Sequence, residues 1–294
     1  MEISFPRYLL SKQNVDDRAL NKDVLAALRT ALPPEPLAII EVGGGIGTMA
    51  ARLLRWEVIR RAEYTLVDEM AENIAFARGW LPAWAAENGL KAEALGPGEL
   101  RLHDDRRELR MHLRQVDLFD YVREEPLPAD LLIAHAVLDL LPMPESLAGL
   151  FALTRGLAWL TVNFDGVTGF EPPVDPTLDA QIEALYHHSM DTRPSGGDSR
   201  CGRHLFAHLR QYGAQILATG ASDWVVYPQG GTYPEDEAAF LAFILDFFES
   251  TLSGHPDLDA GAFRDWLATR REQIARGEMV YIAHQIDFLV RVPP

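Results

Sequence analysis

The sequence is poor in cysteine: Cys201 stands alone among 294 residues. One thiol allows no intramolecular disulfide and no Cys-rich zinc site, and with no acid cluster of metal-binding pattern evident, no metal centre is expected. Basic residues are also scarce, with 27 Lys and Arg against 43 Asp and Glu and a net charge of −16. A chain this acidic repels phosphate backbones, which argues against nucleic acid as its primary partner. No apolar run approaches the ~20 residues that a bilayer span needs. The opening Met1-Glu2-Ile3-Ser4-Phe5-Pro6-Arg7 lacks the charged-then-apolar pattern of a secretory leader. These absences give the expectation of a cytoplasmic protein with no membrane partner. What is present, 48% hydrophobic and 24% charged residues with 22 Gly and 19 Pro, is ordinary globular composition. The length lets one large domain or two modest ones bury a full core. There is no internal repeat, and the oligomeric state stays open, a homodimer included.

Apolar residues at Leu20, Val24, Leu28 and Leu32 have helical spacing, with Asp16 or Asp17 placed as the cap. Pro33-Pro34-Glu35-Pro36 then punctuates the chain, so residues 1–36 are read as an N-terminal helical segment and 37–294 as the main domain. Leu37 to Val42 reads as a buried strand, followed by Gly43-Gly44-Gly45-Ile46-Gly47 and a helix over 48–56. A second strand, Tyr64 to Asp68, leads into a helix over 71–88 that Pro82 is expected to kink or interrupt. Leu100 and Leu102, then Leu109, Met111 and Leu113, alternate with polar residues around Asp104-Asp105-Arg106-Arg107, which reads as a hairpin running into Val116-Asp117. Asp130 to His135 and Leu157 to Asn163 are further strands, with a helix near 145–154 between them. Strands joined through helices predict an α/β fold with a doubly wound, mostly parallel sheet.

After Phe170 the pattern changes. Helices are expected over 178–190, up to about Tyr212, over 235–252 and over 262–276, with strands over 215–227 and 279–292. The last two strands are expected at a mixed edge with one antiparallel strand. The aromatic face Phe240, Phe243, Ile244, Phe247 and Phe248 reads as core against the sheet, with a dimer interface as the alternative.

The strongest chemical signal is the strand, glycine loop and helix over 41–48. Gly43, Gly45 and Gly47 permit a tight turn and close approach of a ligand to the backbone. The helix behind them offers free N–H groups and a positive dipole end, suited to a carboxylate or phosphate. Asp68 ends the second strand, where a carboxylate can accept both ribose hydroxyls. Asp117 closes the third strand over the same edge. A dinucleotide fingerprint would place its third glycine where Thr48 stands. Glu41, Asp68, Glu69, Asp117 and Asp120 would crowd carboxylates around the pocket, which disfavours a pyrophosphate and favours a sulfonium nucleoside of net positive charge.

With these residues in place the sequence resembles the class I S-adenosylmethionine-dependent methyltransferases of small-molecule type. Ile40 to Gly47 carry the first motif, Leu66-Val67-Asp68 the ribose acid, Val116-Asp117-Leu118 the adenine-side acid, and Asp130 to Val137 the fourth-strand motif. The resemblance covers about residues 37–165. It implies a Rossmann-like, seven-stranded sheet with an antiparallel last strand, and S-adenosylmethionine as cofactor with S-adenosylhomocysteine as product. It also implies Gly43, Gly45 and Gly47 at the methionine end, Asp68 on the ribose, and Asp117 with Leu118 at the adenine. No Asn/Asp-Pro-Pro-Tyr-like tetrapeptide follows the fourth strand, where Ala134-His135-Ala136-Val137 stands instead, so exocyclic methylation of nucleic-acid bases is not expected. Cys201, in a late glycine-rich loop and not preceded by proline, gives no support to a cysteine-nucleophile mechanism.

His135, at the carboxyl end of the fourth strand, is a candidate base or orienter beside the methyl, and a hydrogen-bonded wall residue on the other reading. The resemblance implies a substrate-covering lid over about 171–212, which brings in Tyr186 as a substrate contact and His187 and His188 as proton acceptors or as plain surface histidines. Arg193, Arg200 and Arg203 are candidates for gripping a substrate carboxylate, against the alternative of salt bridges to Asp191 and Asp198. Tyr8 and Arg18 are candidates for closing over the methionine carboxylate, against pairing of Arg18 with Asp16 or Asp17. The expected function is methyl transfer to an O, N or C atom of a small molecule. The alternatives are an NAD(P)-linked oxidoreductase and a non-catalytic cofactor-binding protein.

Overall fold

The computed structural model describes residues 4–293. At the N-terminus Asn21 divides what the apolar spacing suggests is one helix. Its side chain accepts from the N–H groups of Asp23 and Val24 and so caps a new helix. Three short helices result: α1 (Phe5–Ser11), α2 (Gln13–Ala19) and α3 (Lys22–Ala31). Asp16 is therefore not a cap but a buried residue inside α2. β1 (Leu37–Val42), α4 (Thr48–Arg55), β2 (Arg61–Asp68) and α5 (Ala71–Glu87) follow, and α5 runs through Pro82 unbroken. Next come β3 (Lys91–Gly96), β4 (Glu99–His103), β5 (Glu108–Gln115), α6 (Leu118–Arg123), β6 (Ala129–His135), α7 (Ser146–Ala152) and β7 (Thr154–Glu171). The chain closes with α8 (Pro176–Asp191), α9 (Cys201–Gln211), β8 (Gln215–Ala221), β9 (Trp224–Val226), α10 (Glu237–Leu252), α11 (Ala260–Ala275) and β10 (Val280–Arg291).

The sheet runs β3-β4-β5-β2-β1-β6-β7-β10-β8, with β9 pairing β10. The pairs from β5 through β7 are parallel, while β10 is antiparallel to both β7 and β8. The sheet is thus doubly wound and mostly parallel, but it has ten strands where seven are expected. β9 is split from β8 at Ser222-Asp223. β3 and β4 extend the β5 edge, and β5 doubles as a hairpin arm and as the third parallel strand. β3 is exposed along its whole length, so it carries no apolar alternation that would betray it.

Side chains alternate across the sheet as period-2 geometry requires. Ile39, Leu131, Ile133 and Trp159 face one core, with Leu28, Leu53, Leu81 and Phe240 from helices α3, α4, α5 and α10. Ile40, Leu132, Ala134 and Leu160 face the other, with Tyr121, Leu150 and Leu205 from α6, α7 and α9. Helix α9 is thus a covering helix of the sheet, and of the segment 171–212 only α8 and the turn after it reach over the carboxyl edge of the strands. The N-terminal helices also return to the main body, with α3 against β8 and β10, α2 against β9, and α1 against α10 and α5.

Candidate functional site

The loop after β1 turns on Gly43, Gly45 and Gly47, with φ of 62°, 56° and 87°. These are left-handed values that suit glycine. A Cβ on Gly43 would stand 2.8 Å from Val137 Cγ2, so the position is closed to any side chain without movement of its neighbour. Thr48 then opens α4, whose first-turn N–H groups have no intrahelical partner.

Asp68, at the end of β2, holds this loop. Its Oδ2 accepts from Gly45 N–H at 2.8 Å, and its Oδ1 accepts from Met70 N–H at 2.9 Å and Asn73 Nδ2 at 3.0 Å. A carboxylate offers about four acceptor sites, so one remains, enough for a single further hydroxyl rather than two. Asp117 caps α6 through Oδ1, which accepts from Phe119 and Asp120 N–H, and leaves Oδ2 free.

One cavity of about 660 Å³ opens at the carboxyl edge of the parallel strands, where ligands bind in open α/β sheets and within the usual size of ligand sites. Glu41, Gly43, Gly45, Thr48, Asp68, Glu69, Asp117, Leu118, His135, Tyr186 and Arg193 all line it. Gly47 does not; it lies behind the loop against Leu81 and Leu66. His187 is turned away and meets Thr168 Oγ1 at 3.0 Å, and His188 is exposed on the outer side of α8. Arg203 is spent on Asp165, with Nε donating to Oδ1 at 2.8 Å, and Arg200 is exposed beside Gly166. The three arginines therefore do not converge, and only Arg193 reaches the cavity. Arg18 leaves the site to pair with Glu237, while Tyr8 lines it.

His135 has both ring nitrogens engaged. Nε2 lies 3.1 Å from Asp16 Oδ2 and Nδ1 lies 2.8 Å from Thr161 Oγ1. Burial pushes His135 down to about 4, against the pull of Asp16. Asp16, which also receives Lys12 Nζ at 3.0 Å and Trp224 Nε1 at 3.0 Å, is held well below the usual carboxylate range by Lys12 and His135 despite its burial. The ionised Asp16 can only accept, so the neutral ring donates from Nε2 and accepts the Thr161 hydroxyl at Nδ1. No lone pair is left for a substrate proton. His135 is hydrogen-bonded into the cavity wall through both ring nitrogens, and it clasps α2 onto the end of β6.

Two other carboxyls shape the electrostatics. Glu41 is buried and its Oε2 accepts the Tyr64 hydroxyl at 2.7 Å; burial pushes its pKa up to about 8. It is thus protonated at neutral pH, and the ring of carboxylates expected around the glycine loop shrinks by one. Asp139, in a short 3-10 turn over Leu138–Leu140, lines the cavity with a carboxylate that no other residue's N–H or O–H reaches among the described residues. Burial raises it to about 6, moderated by its own N–H and by the charges of Arg193 and Lys12.

Beyond His135 the cavity is walled by the part of β7 that runs on past β6, where it still pairs with β10, by β10 itself, and by α1, α8 and α10. Val162 and Ala136, both lining it, hold φ of 57° and 53° without being glycine. Val162 N–H is pinned by Asp287 Oδ1 at 2.7 Å. Such strain persists only where the surroundings enforce it. The sequence reading misses Lys12, Asp139, Trp224, Tyr281 and Gln285 as lining residues. All but Asp139 belong to segments far in sequence from the glycine loop. Asp139 had a local signal, a lone acid just after the fourth strand.

The strand order settles the architecture. Setting aside the β3–β4 extension and β9, the third, second, first, fourth and fifth strands run in parallel order, followed by the antiparallel last strand inserted before the sixth. The fold is that of the class I methyltransferases. YjhP from E. coli aligns over 98% of this chain and 99% of its own, at 14% identity and a TM-score of 0.50. A cyclopropane-fatty-acyl-phospholipid synthase-like protein from Lactobacillus casei aligns over 97% of this chain and 92% of its own, at 14% identity and a TM-score of 0.51. No family model matches the chain, and no curated protein matches it in sequence. Among the described residues no helix is long and apolar enough to cross a membrane, and no three His, Cys, Asp or Glu side chains gather for a metal ion.

Proposed function

We propose that the protein binds S-adenosylmethionine at the glycine-loop end of its cavity and transfers the methyl group to a small molecule at the other end. The observation that carries this reading is the convergence of Gly43, Gly45, Asp68, Glu69, Asp117 and Leu118 on one cavity at the carboxyl edge of the sheet. The residues suit the cofactor. Gly43, closed to any side chain by Val137, keeps the loop bare backbone at the cavity wall, the remaining acceptor site of Asp68 takes one ribose hydroxyl, and the free Oδ2 of Asp117 takes the adenine amino group. Leu118 supplies an apolar face beside it. Gly47 acts from behind by shaping the turn, and Glu41, protonated, supports the loop without adding charge.

When bound, the cofactor supplies a methyl group on a positively charged sulfur, already activated for displacement. The chain's own work is then alignment, exclusion of water and removal of a proton. His135 fixes the wall between the two ends. Asp139 takes the proton released by the acceptor: it lines the cavity, has no partner to occupy it, and is tuned close to neutral pH. Tyr186 and Arg193 contact the acceptor, while His187, His188, Arg200 and Arg203, outside the lining, have no part in it.

Calorimetric titration with S-adenosylhomocysteine tests the reading. The wild type binds, and Asp68→Ala, which loses both the ribose acceptor and the anchor of Gly45, binds at least tenfold more weakly while still folding. Equal binding by Asp68→Ala would remove the assigned cofactor site.

A further inference from the structure

The β7–β10 end of the cavity has a wall rich in aromatic rings. Tyr8, Phe164, Tyr186, Trp224, Phe247 and Tyr281 line it. The rings are fixed by one another and by the core: Tyr186 stacks on Phe248 with centroids 3.9 Å apart, and Tyr8 meets Phe247 edge-on at 4.9 Å. Trp224 is held by its bond to Asp16. Four charges near these rings balance: the Lys12 ammonium is paired with Asp16, and Arg193 lies within Coulombic range of Asp139 without an ion pair between them. With the four charges in balance, this end of the cavity has no net charge from them to attract a charged ligand.

Among these rings sits one carboxamide. Gln285 shares the cavity face of β10 with Tyr281 and Ala283, and pairs in register with Phe164 of β7. It is 2% exposed, and its Oε1 is enclosed with no donor in reach. Its backbone is fully used, with the N–H donating to Asp223 and the carbonyl accepting from Ser222, so the strand is fixed and only the side chain is uncommitted. A buried amide oxygen without a donor is costly, and native cores keep few of them. The terminal torsion of a glutamine is soft, so the oxygen can turn to the cavity.

We propose that this end of the cavity takes an uncharged aromatic molecule carrying a hydroxyl or N–H, and that Gln285 selects it by accepting that hydrogen. The inference rests on the proposed function for the identity of the far end, and deepens it by naming the acceptor class. Flat rings supply the contact area, and the hydrogen bond supplies the discrimination. A site built to pair a donor rejects the analogue that lacks it far more strongly than an apolar wall rejects a change of size.

The test is equilibrium binding of four probes, followed by quenching of tryptophan fluorescence, with and without saturating S-adenosylhomocysteine. The probes are 2-naphthol, 2-methoxynaphthalene, 2-naphthoate and 2-naphthylmethylammonium. The wild type is expected to bind 2-naphthol at least tenfold more tightly than each of the other three. Gln285→Leu and Gln285→Met are expected to bind naphthol and its methyl ether equally, with S-adenosylhomocysteine binding within threefold of wild type. Failure of wild type to prefer naphthol, tighter binding of either charged probe, or a preference that survives in the Gln285 variants would overturn the proposal. The wild-type comparison stands even where a variant does not fold. Loss of S-adenosylhomocysteine binding by the wild type, with naphthol preference retained, would instead strike the proposed function and leave the aromatic site.

Discussion

At the scale of single residues, three carboxyls near one another behave in three ways because their surroundings differ. Asp16 is buried but surrounded by Lys12, His135 and Trp224, and stays ionised. Glu41 is equally buried with chiefly the Tyr64 hydroxyl for company, and is pushed up to about 8. Asp139 lies between, raised to about 6. For Glu41 the linkage has a definite sign. Between its ordinary value near 4.5 and about 8 the folded state holds a proton that the unfolded state has lost, so stability falls as pH rises through that window. The groups that tune it are Tyr64, Arg52, Asp68 and Lys12. Glu41→Gln keeps an acceptor for Tyr64 and has no proton to lose. In urea unfolding from pH 5 to 8.5 it should gain on the wild type by at least about 1 kcal/mol across the range. A constant difference would mean Glu41 is ionised in the fold. For Asp139, with any acceptor that turns over, kcat/KM should rise with pH through about 6. Asp139→Asn should lose that limb and roughly 10²-fold or more in rate. An unchanged limb would assign the proton to another group.

At the scale of elements, the clasp of α2 on the sheet depends on a buried charge pair. Removing one partner of such a pair strands the other without solvent. Asp16→Ala should therefore cost about 3–5 kcal/mol in denaturant unfolding, with Asp16→Asn milder because it still offers an oxygen to Trp224. A loss under 1 kcal/mol would show that α2 is held by Val15 and its apolar neighbours alone. The elements also show what could be read from sequence. β1, β2, β6, the start of β7 and the glycine loop are legible because each is a short apolar run ended by glycine or a charged residue, and local pattern decides them. β3 is not, because an exposed edge strand carries no hydrophobic alternation. The break at Asn21 is not, because apolar spacing runs on through a capping residue. The roles of Lys12 and Gln285 are not, because each depends on where distant elements bring it: α1 and α2 close over the first strand's loop, and β10 enters the sheet beside β7. His135 lies at the expected strand edge, but its partners Asp16 and Thr161 come from segments far apart in sequence, and they occupy both ring nitrogens.

At the scale of the whole molecule, the sheet gives one cavity two unlike ends. Its β1, β2 and β5 end presents glycines and acids, its β7 and β10 end presents aromatic rings and one amide, and β6 stands between them with His135. The acidic balance of the chain, −16 overall, agrees with a net positive sulfonium nucleoside better than with a pyrophosphate. The central claim is which nucleoside that first end holds. A thermal melt with S-adenosylmethionine, S-adenosylhomocysteine, NAD and NADP in parallel decides it. A ligand at a hundred times its Kd adds ~2.7 kcal/mol, and each kcal/mol moves the midpoint by roughly 2–4 °C in a chain of this size. A rise of several degrees with the two sulfur nucleosides, and none with NAD or NADP, is the expected result. A rise with NAD or NADP alone would contradict it and give the glycine loop to a nicotinamide cofactor.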